Sequence, residues 1–256
     1  MGHQKPVRHQ KPVRMNRRLF LSSVALFSIS APIVSLARTF SGALPWEPMS
    51  SNPPTQVVPG AWQFFTPQEA ALVEAIVDRL IPHDDLSVGG KEAGCAVYID
   101  RQLTGDFGTS SRLYTQGPFL PGLPTQGYQG EANPAQRYRS GLAAIDAFLK
   151  QRDGKTFVEL KPEDQDAFLT AMETGKVELP NGFKSAEFFA LLLQNAMEGF
   201  FADPVYGGNK DMVSWRMLGF PGARYDYRDH VSKHNEPYPL PPVSIMGRPE
   251  WRGKGA

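Results

Sequence analysis

The chain has 256 residues, 41% of them apolar and 21% charged, with 27 basic against 26 acidic side chains and a single cysteine. One cysteine excludes an internal disulfide, a Cys-x-x-Cys-His haem attachment and a thiolate-held iron–sulfur cluster. No Gly-x-Gly-x-x-Gly and no Gly-x-x-x-x-Gly-Lys-Ser/Thr loop offers a nucleotide site.

Residues 3–8 and 9–14 are the same hexapeptide, His-Gln-Lys-Pro-Val-Arg, twice over. The tandem copy ahead of Met15 reads as a non-native or translated upstream extension, so His3 and His9 get no metal-site reading. Arg17 and Arg18 then open Asn16-Arg17-Arg18-Leu19-Phe20-Leu21, which reads as a twin-arginine export signal over residues 15–37. Pro32 and the serines dilute Leu19–Leu36, which argues against a membrane anchor. Ser35-Leu36-Ala37 places small residues where a signal peptidase reads, so cleavage is expected after Ala37. That cleavage removes six basic and no acidic residues and leaves a net charge of −5. Such a surface gives no basic field for nucleic acid and no polybasic membrane patch. The twin-arginine route carries folded proteins, usually because a cofactor is inserted before export. A folded-export signal on a chain without cofactor motifs suggests that the signal serves a partner.

Residues 38–65 are rich in Pro, Ser and Asn and read as an extended arm, with Phe40, Trp46, Trp62, Phe64 and Phe65 able to dock. The first helix starts at Thr66-Pro67-Gln68-Glu69, a capping box with proline at the first helical position. Leu72, Val73, Ile76, Val77, Leu80 and Ile81 form its apolar stripe, and Pro82 ends it. A second helix is expected over Ala93–Leu103. Residues 104–133 show no period and hold seven glycines or prolines between Gly117 and Gly130. Loops of this length inside a domain usually have a function. Its Tyr114, Phe119, Leu120, Leu123 and Tyr128 make it a wrapping segment that packs on its own body or on a partner. Further helices are expected from Asn133-Pro134 to Gly154, over Pro162–Thr174, from Ser185, a good cap, to Phe201, and over Asp211–Leu218. The Ser185–Phe201 segment is apolar nearly all round and should be central and buried. Residues 66–222 thus read as a single irregular all-α domain with long Pro/Gly-rich wrapping loops, followed by an extended tail over 223–256.

Sites of chemistry are sparse. His83, Asp84 and Asp85 sit at a helix end without calcium-loop spacing and read as solvated loop residues. His230 and His234 have an i, i+4 spacing but no His-Glu-x-x-His order, and read as a surface turn of helix. Cys95 has no histidine nearby in sequence and reads as a small buried apolar residue. Trp215, Phe220, Tyr225 and Tyr227 could stack on a ligand, or serve as core or interface anchors. No catalytic, cofactor-binding or metal-binding residue is assigned.

From Phe188 the chain runs through Glu198-Gly199-Phe200-Phe201-Ala202-Asp203-Pro204-Val205-Tyr206-Gly207-Gly208-Asn209 to Trp215-Arg216-Met217-Leu218-Gly219-Phe220-Pro221-Gly222. This strongly resembles the gluconate 2-dehydrogenase subunit 3 family. The likeness extends to Phe65-Thr66-Pro67, Ile81-Pro82, Gly89 to Gly94 and Tyr114 to Phe119, and so covers most of residues 60–247. The resemblance implies a non-catalytic small subunit of a gluconate 2-dehydrogenase complex. Its partners would be a large subunit that carries FAD, in relatives also an iron–sulfur cluster, and a multihaem cytochrome c. The twin-arginine translocase would be a partner during export, and attachment to the outer face of the inner membrane would come through the complex. The small subunit would support folding and maturation of the flavoprotein. Trp46, Tyr114, Phe119, Tyr128, Trp215, Phe220, Tyr225 and Tyr227 are the candidate interface residues. Open alternatives are a subunit of a related fructose, glucose or sorbitol dehydrogenase, or a stand-alone periplasmic ligand-binding protein.

Overall fold

In the computed structural model the described residues are 55–247, apart from Pro59 and Tyr225. They form seven α-helices: α1 Pro67–Leu80, α2 Cys95–Thr104, α3 Asp106–Thr109, α4 Pro134–Asp153, α5 Pro162–Glu173, α6 Ser185–Phe201 and α7 Val213–Leu218. Among the described residues there is no strand; two isolated bridges join Glu178 to Lys184 and Gly222 to Val243. The fold is all-α. The extension, Arg17, Arg18, the cleavage site at Ala37, Trp46 and Tyr225 lie outside the described residues.

Local chemistry sets most helix ends. Thr66 Oγ1 accepts from the Glu69 amide while Glu69 Oε2 accepts from the Thr66 amide at 2.8 Å, so both orphan donors are met. Asn133 and Gln136 make the same reciprocal pair ahead of α4, and Gly154 ends that helix at φ +65. Pro162 opens α5, with Glu163 and Asp164 in its first turn where the helix dipole favours acids.

Three boundaries differ from the sequence reading. The second helix starts at Cys95, two residues late, because Gly94 is left-handed at φ +83. Lys184, not Ser185, precedes α6, and no side chain caps that end; Ser185 is buried in the first turn. The last helix begins at Val213, because Asp211 and Met212 have φ +58 and +56 and cannot continue a right-handed helix.

Helix α6 lies in the middle, against α1, α2, α4 and α5. Its Phe188, Leu192 and Ala196 are fully buried with Ile76 and Val77 of α1, Ile99 of α2, and Leu142 and Ile145 of α4. Burial of such side chains contributes about 1.5–3 kcal/mol each. A run of rings threads the core: Phe65 to Tyr138 at 6.1 Å, Tyr138 to Phe188 at 5.6 Å, Phe188 to Phe183 at 5.5 Å. The Phe188 ring sits directly on the α4 backbone at Gly141, where a Cβ would stand 2.5 Å from it.

Both flanking segments are bonded to this body where they are described. The buried Asp100 carboxylate accepts the backbone N–H groups of Gln63, Phe64 and Phe65, each at 2.9 Å. Arg139 then lies over the Phe64 ring at 4.0 Å and pairs with Glu69. Beyond α7 the tail returns: the Ala223 amide donates to Val243 O at 2.7 Å, and Val243 is buried.

Candidate partner-binding surface

The string Glu198–Asn209 forms a junction of three backbones. Gly199 is where α6 meets α2: a Cβ there would lie 3.2 Å from the Cys95 Cα and 3.1 Å from the Tyr98 ring. Gly208 presses on the Gly199 carbonyl, and a Cβ would stand 2.1 Å from that oxygen. Asn209 is fully buried at φ +45; its Nδ2 donates to Ala202 O at 2.9 Å. Its Oδ1 accepts from the Ser214 amide and hydroxyl at 3.0 and 2.8 Å, which fixes the start of α7. Asp203 caps its own turn by accepting from the Val205 amide, and also takes Ser244 Oγ at 2.7 Å and the Ile245 amide at 2.6 Å. On the other side, the Val57 amide donates to Val205 O at 2.8 Å. The string therefore ties the arm, the central helix and the tail together.

Its first residue ends a buried polar chain. Tyr138 Oη donates to Asn195 Oδ1 and Asn195 Nδ2 donates to Glu198 Oε2, both at 3.0 Å. Burial drives the Tyr138 hydroxyl far above its usual titration range, so it is a fixed donor. Every member is hydrogen-bonded, which fits a role in specifying the packing of α4 on α6.

The other groups raised by the sequence are structural. Cys95 is buried, and that burial pushes its thiol up to about 12. Asp84 Oδ1 accepts from the Leu86 and Ser87 amides, both at 2.9 Å, and those bonds hold its carboxyl below the usual value. His230 closes a 3-10 turn, its ring 4.7 Å from that of Tyr238, and His234 is exposed beyond it. No group of three His, Cys, Asp or Glu among the described residues could hold a metal ion. A shallow 360 Å³ depression is lined by Glu74, Asp78, Arg79, Lys91, Val158 and Gln165. Its cations are spent on neighbouring acids, Lys91 on Glu74 at 3.1 Å and Arg79 on Asp166 at 2.5 Å.

What the described surface does offer is exposed apolar area in two places. Exposed apolar side chains that fall together are candidates for contact with another molecule. The first is the loop between α3 and α4, with Leu113, Tyr114, Phe119, Leu120, Leu123 and Tyr128 all exposed. Tyr114 is 86% exposed, so this segment does not wrap its own body there. Tyr128 sits at the base under the Arg137 guanidinium, 3.9 Å from the ring centroid. The second is the C-terminal end of α6 and its sequel, where Met197, Phe201, Tyr206, Leu218 and Phe220 are exposed.

The candidate aromatics thus separate. Trp215 is inside the fold at 7% exposure, its Nε1 donating to Phe201 O at 2.9 Å. Phe220 stands edge-on to it at 5.2 Å and keeps an outer face. Tyr227 packs on Tyr238 at 5.8 Å at the edge of the tail. Sequence reasoning passed over Met197 and Phe201; their i, i+4 spacing on α6 was the available signal.

No helix of the described residues is long and apolar enough to cross a membrane. No curated protein and no solved structure matches the chain. A model of the family described as gluconate 2-dehydrogenase subunit 3 matches residues 67–222, from the first residue of α1 through the junction to Gly222. The chain belongs to the gluconate 2-dehydrogenase subunit 3 family.

Proposed function

We propose that the chain is the non-catalytic small subunit of a periplasm-facing, FAD-dependent gluconate 2-dehydrogenase complex. In this reading it brings the twin-arginine signal at Arg17 and Arg18 and supports folding and maturation of the large flavoprotein subunit. The large subunit holds FAD, a multihaem cytochrome c passes electrons onward, and the small subunit meets the membrane only through them. The observation that carries the reading is the family match over residues 67–222. The surface supports it, because the exposed apolar loop between α3 and α4 suits a body that binds another protein. The sole cysteine, buried against α6, does not suit a thiolate-held redox centre on this chain.

The test is export of the partner. Changing Arg17 and Arg18 to Lys in cells that make the whole complex should leave the flavoprotein, FAD bound, in the cytoplasm. Normal gluconate-dependent dye reduction in the periplasm of that variant would refute the proposal.

A further inference from the structure

The run from Phe201 to Tyr206, where α6 ends, collects donors from distant parts of the chain. Phe201 O accepts from Trp215 Nε1 and Ala202 O from Asn209 Nδ2, each at 2.9 Å. Asp203 Oδ1 accepts from the Val205 amide at 3.0 Å and from Ser244 Oγ at 2.7 Å. Its Oδ2 accepts from the Ile245 amide at 2.6 Å. Val205 O in turn accepts from the Val57 amide at 2.8 Å. The backbone of the 3-10 turn Pro204–Tyr206 itself supplies only Tyr206 N–H to Asp203 O and Gly207 N–H to Pro204 O, both at 3.0 Å. A short 3-10 turn has poor internal geometry, so its tertiary contacts do most to hold it.

Arm and tail therefore meet on the same turn. Val205 donates to the carboxylate on which the tail closes, and its carbonyl is the group that the arm reaches. The tail is well seated. Val243 is buried, donates to Pro221 O at 3.2 Å and accepts from the Ala223 amide at 2.7 Å. The arm has less. Among the described residues from 55 to 60, the Val57 amide makes the one hydrogen bond to the body. The Val57 side chain lies on Gly207, where a Cβ would stand 3.0 Å from its Cγ1. Seating of the arm at this point thus depends on where the turn stands.

We propose that the tail is a latch for the arm: Ser244 and Ile245, closing on Asp203, fix the Pro204–Tyr206 turn and so seat the arm at Val57. Coupling between two sites is mutual, so the seated arm also holds the tail. Ser244 and Ile245 lie 41 and 42 residues beyond Asp203 and are made after it. The arm is then seated only once folding has reached the tail. With Arg17 and Arg18 read as an export signal, the segment that follows the signal is fixed only on a folded body. That role rests on the export reading; the latch itself does not.

Native-state hydrogen exchange is read at single amides of the full chain for wild type, S244A/I245P and Val57→Pro. Position 245 is the second residue of the turn closed by Gly247 N–H to Ser244 O at 2.8 Å, a place that suits proline. The tail variant therefore removes both donors and leaves Asp203 and its turn in place. Its Val57 amide should exchange at least about fivefold faster, within the range of coupling in one hydrogen-bond network. The Phe65 amide, held separately by Asp100 at 2.9 Å, should keep its rate. In Val57→Pro the Ile245 amide should speed up by a similar factor. A Val57 amide that keeps its wild-type rate in the tail variant overturns the latch, as does one that is unprotected in wild type. Equal acceleration at Val57 and Phe65 is a global loss of stability and also overturns it. Those results leave the small-subunit reading standing. Failure of the export test removes the role given to the latch and leaves the coupling.

Discussion

Asp100→Ala is the most direct test of how this chain holds its N-terminal arm. The carboxylate is fully buried on α2 and serves four donors. Oδ1 takes the Phe64 and Phe65 amides, and Oδ2 takes the Gln63 amide and the Arg101 guanidinium. Truncation leaves the Phe65 amide buried with no acceptor, at a cost of about 1–3 kcal/mol. The Gln63 and Phe64 amides are half-buried and can be met in part by water, so each adds about 0.5–1.5 kcal/mol. The sum, about 2–6 kcal/mol, is a large fraction of the 5–15 kcal/mol typical of a whole domain.

Urea unfolding followed by circular dichroism should show the midpoint falling by roughly 1–3 M, taking a slope of about 2 kcal/mol per M. Asp100→Asn keeps one oxygen for Phe64 and Phe65 but turns an N–H toward Gln63, so it should fall between wild type and alanine. Native-state hydrogen exchange should show the amides of residues 63–65 losing protection before those of α6. An alanine variant whose midpoint moves by less than about 0.5 M, with those three amides still protected, would refute the reasoning.

Gly208→Ala places a methyl 2.1 Å from the Gly199 carbonyl oxygen, and backbone cannot step aside as a side chain can. It should cost about 3 kcal/mol or more, read as a lowered melting temperature, while Gly60→Ala, whose Cβ would meet only Val58 O at 3.9 Å, should leave that temperature unchanged. Cys95, buried with its thiol pushed up to about 12, should give no reaction with a disulfide reagent at pH 8 in the folded protein and one thiol equivalent in urea. Glu69→Gln keeps the capping box but removes the charge that pairs with Arg139. Burial raises the Glu69 pKa, but its bonds to Arg139 and Thr66 outweigh that and hold the carboxyl below its usual value. A depressed carboxylate stabilises the fold above its unfolded pKa of about 4.3 and loses that contribution as pH falls through the lower folded value. The stability gap between wild type and Glu69→Gln should therefore be level above about pH 5.5 and close below about pH 4; a gap that widens on acidification contradicts the pairing.

The sequence showed most clearly what is decided locally. The Thr66–Glu69 and Asn133–Gln136 pairs act over three residues, so the starts of α1 and α4 were readable without any tertiary knowledge. The start of α7 was not, because Asn209 reaches inward to Ala202 and Ser214 and leaves Asp211 and Met212 left-handed. The arm looked free because its holder, Asp100, lies 35 to 37 residues away. The tail looked free for the same reason: Asp203 holds Ser244 and Ile245 across 41 and 42 residues. Trp215 and Phe220 are indistinguishable as sequence, yet one donates its N–H into the fold and the other faces outward.

That separation bears on what the family string does. Gly199, Asp203, Gly208 and Asn209 spend their conformational freedom and hydrogen bonds on other parts of this chain. They are the reason α6, the arm and the tail meet at one junction, and they offer little to an outside molecule. The exposed apolar side chains are different ones: those of the uncharged loop at 113–130, Met197 on α6, and Phe201 and Tyr206 within the string itself. The two jobs make opposite physical demands. A junction of three backbones requires small residues and buried hydrogen bonds, whereas a docking surface requires large apolar groups left uncovered. Substitutions among the exposed side chains of the loop should therefore leave undisturbed the junction on which the helical body depends.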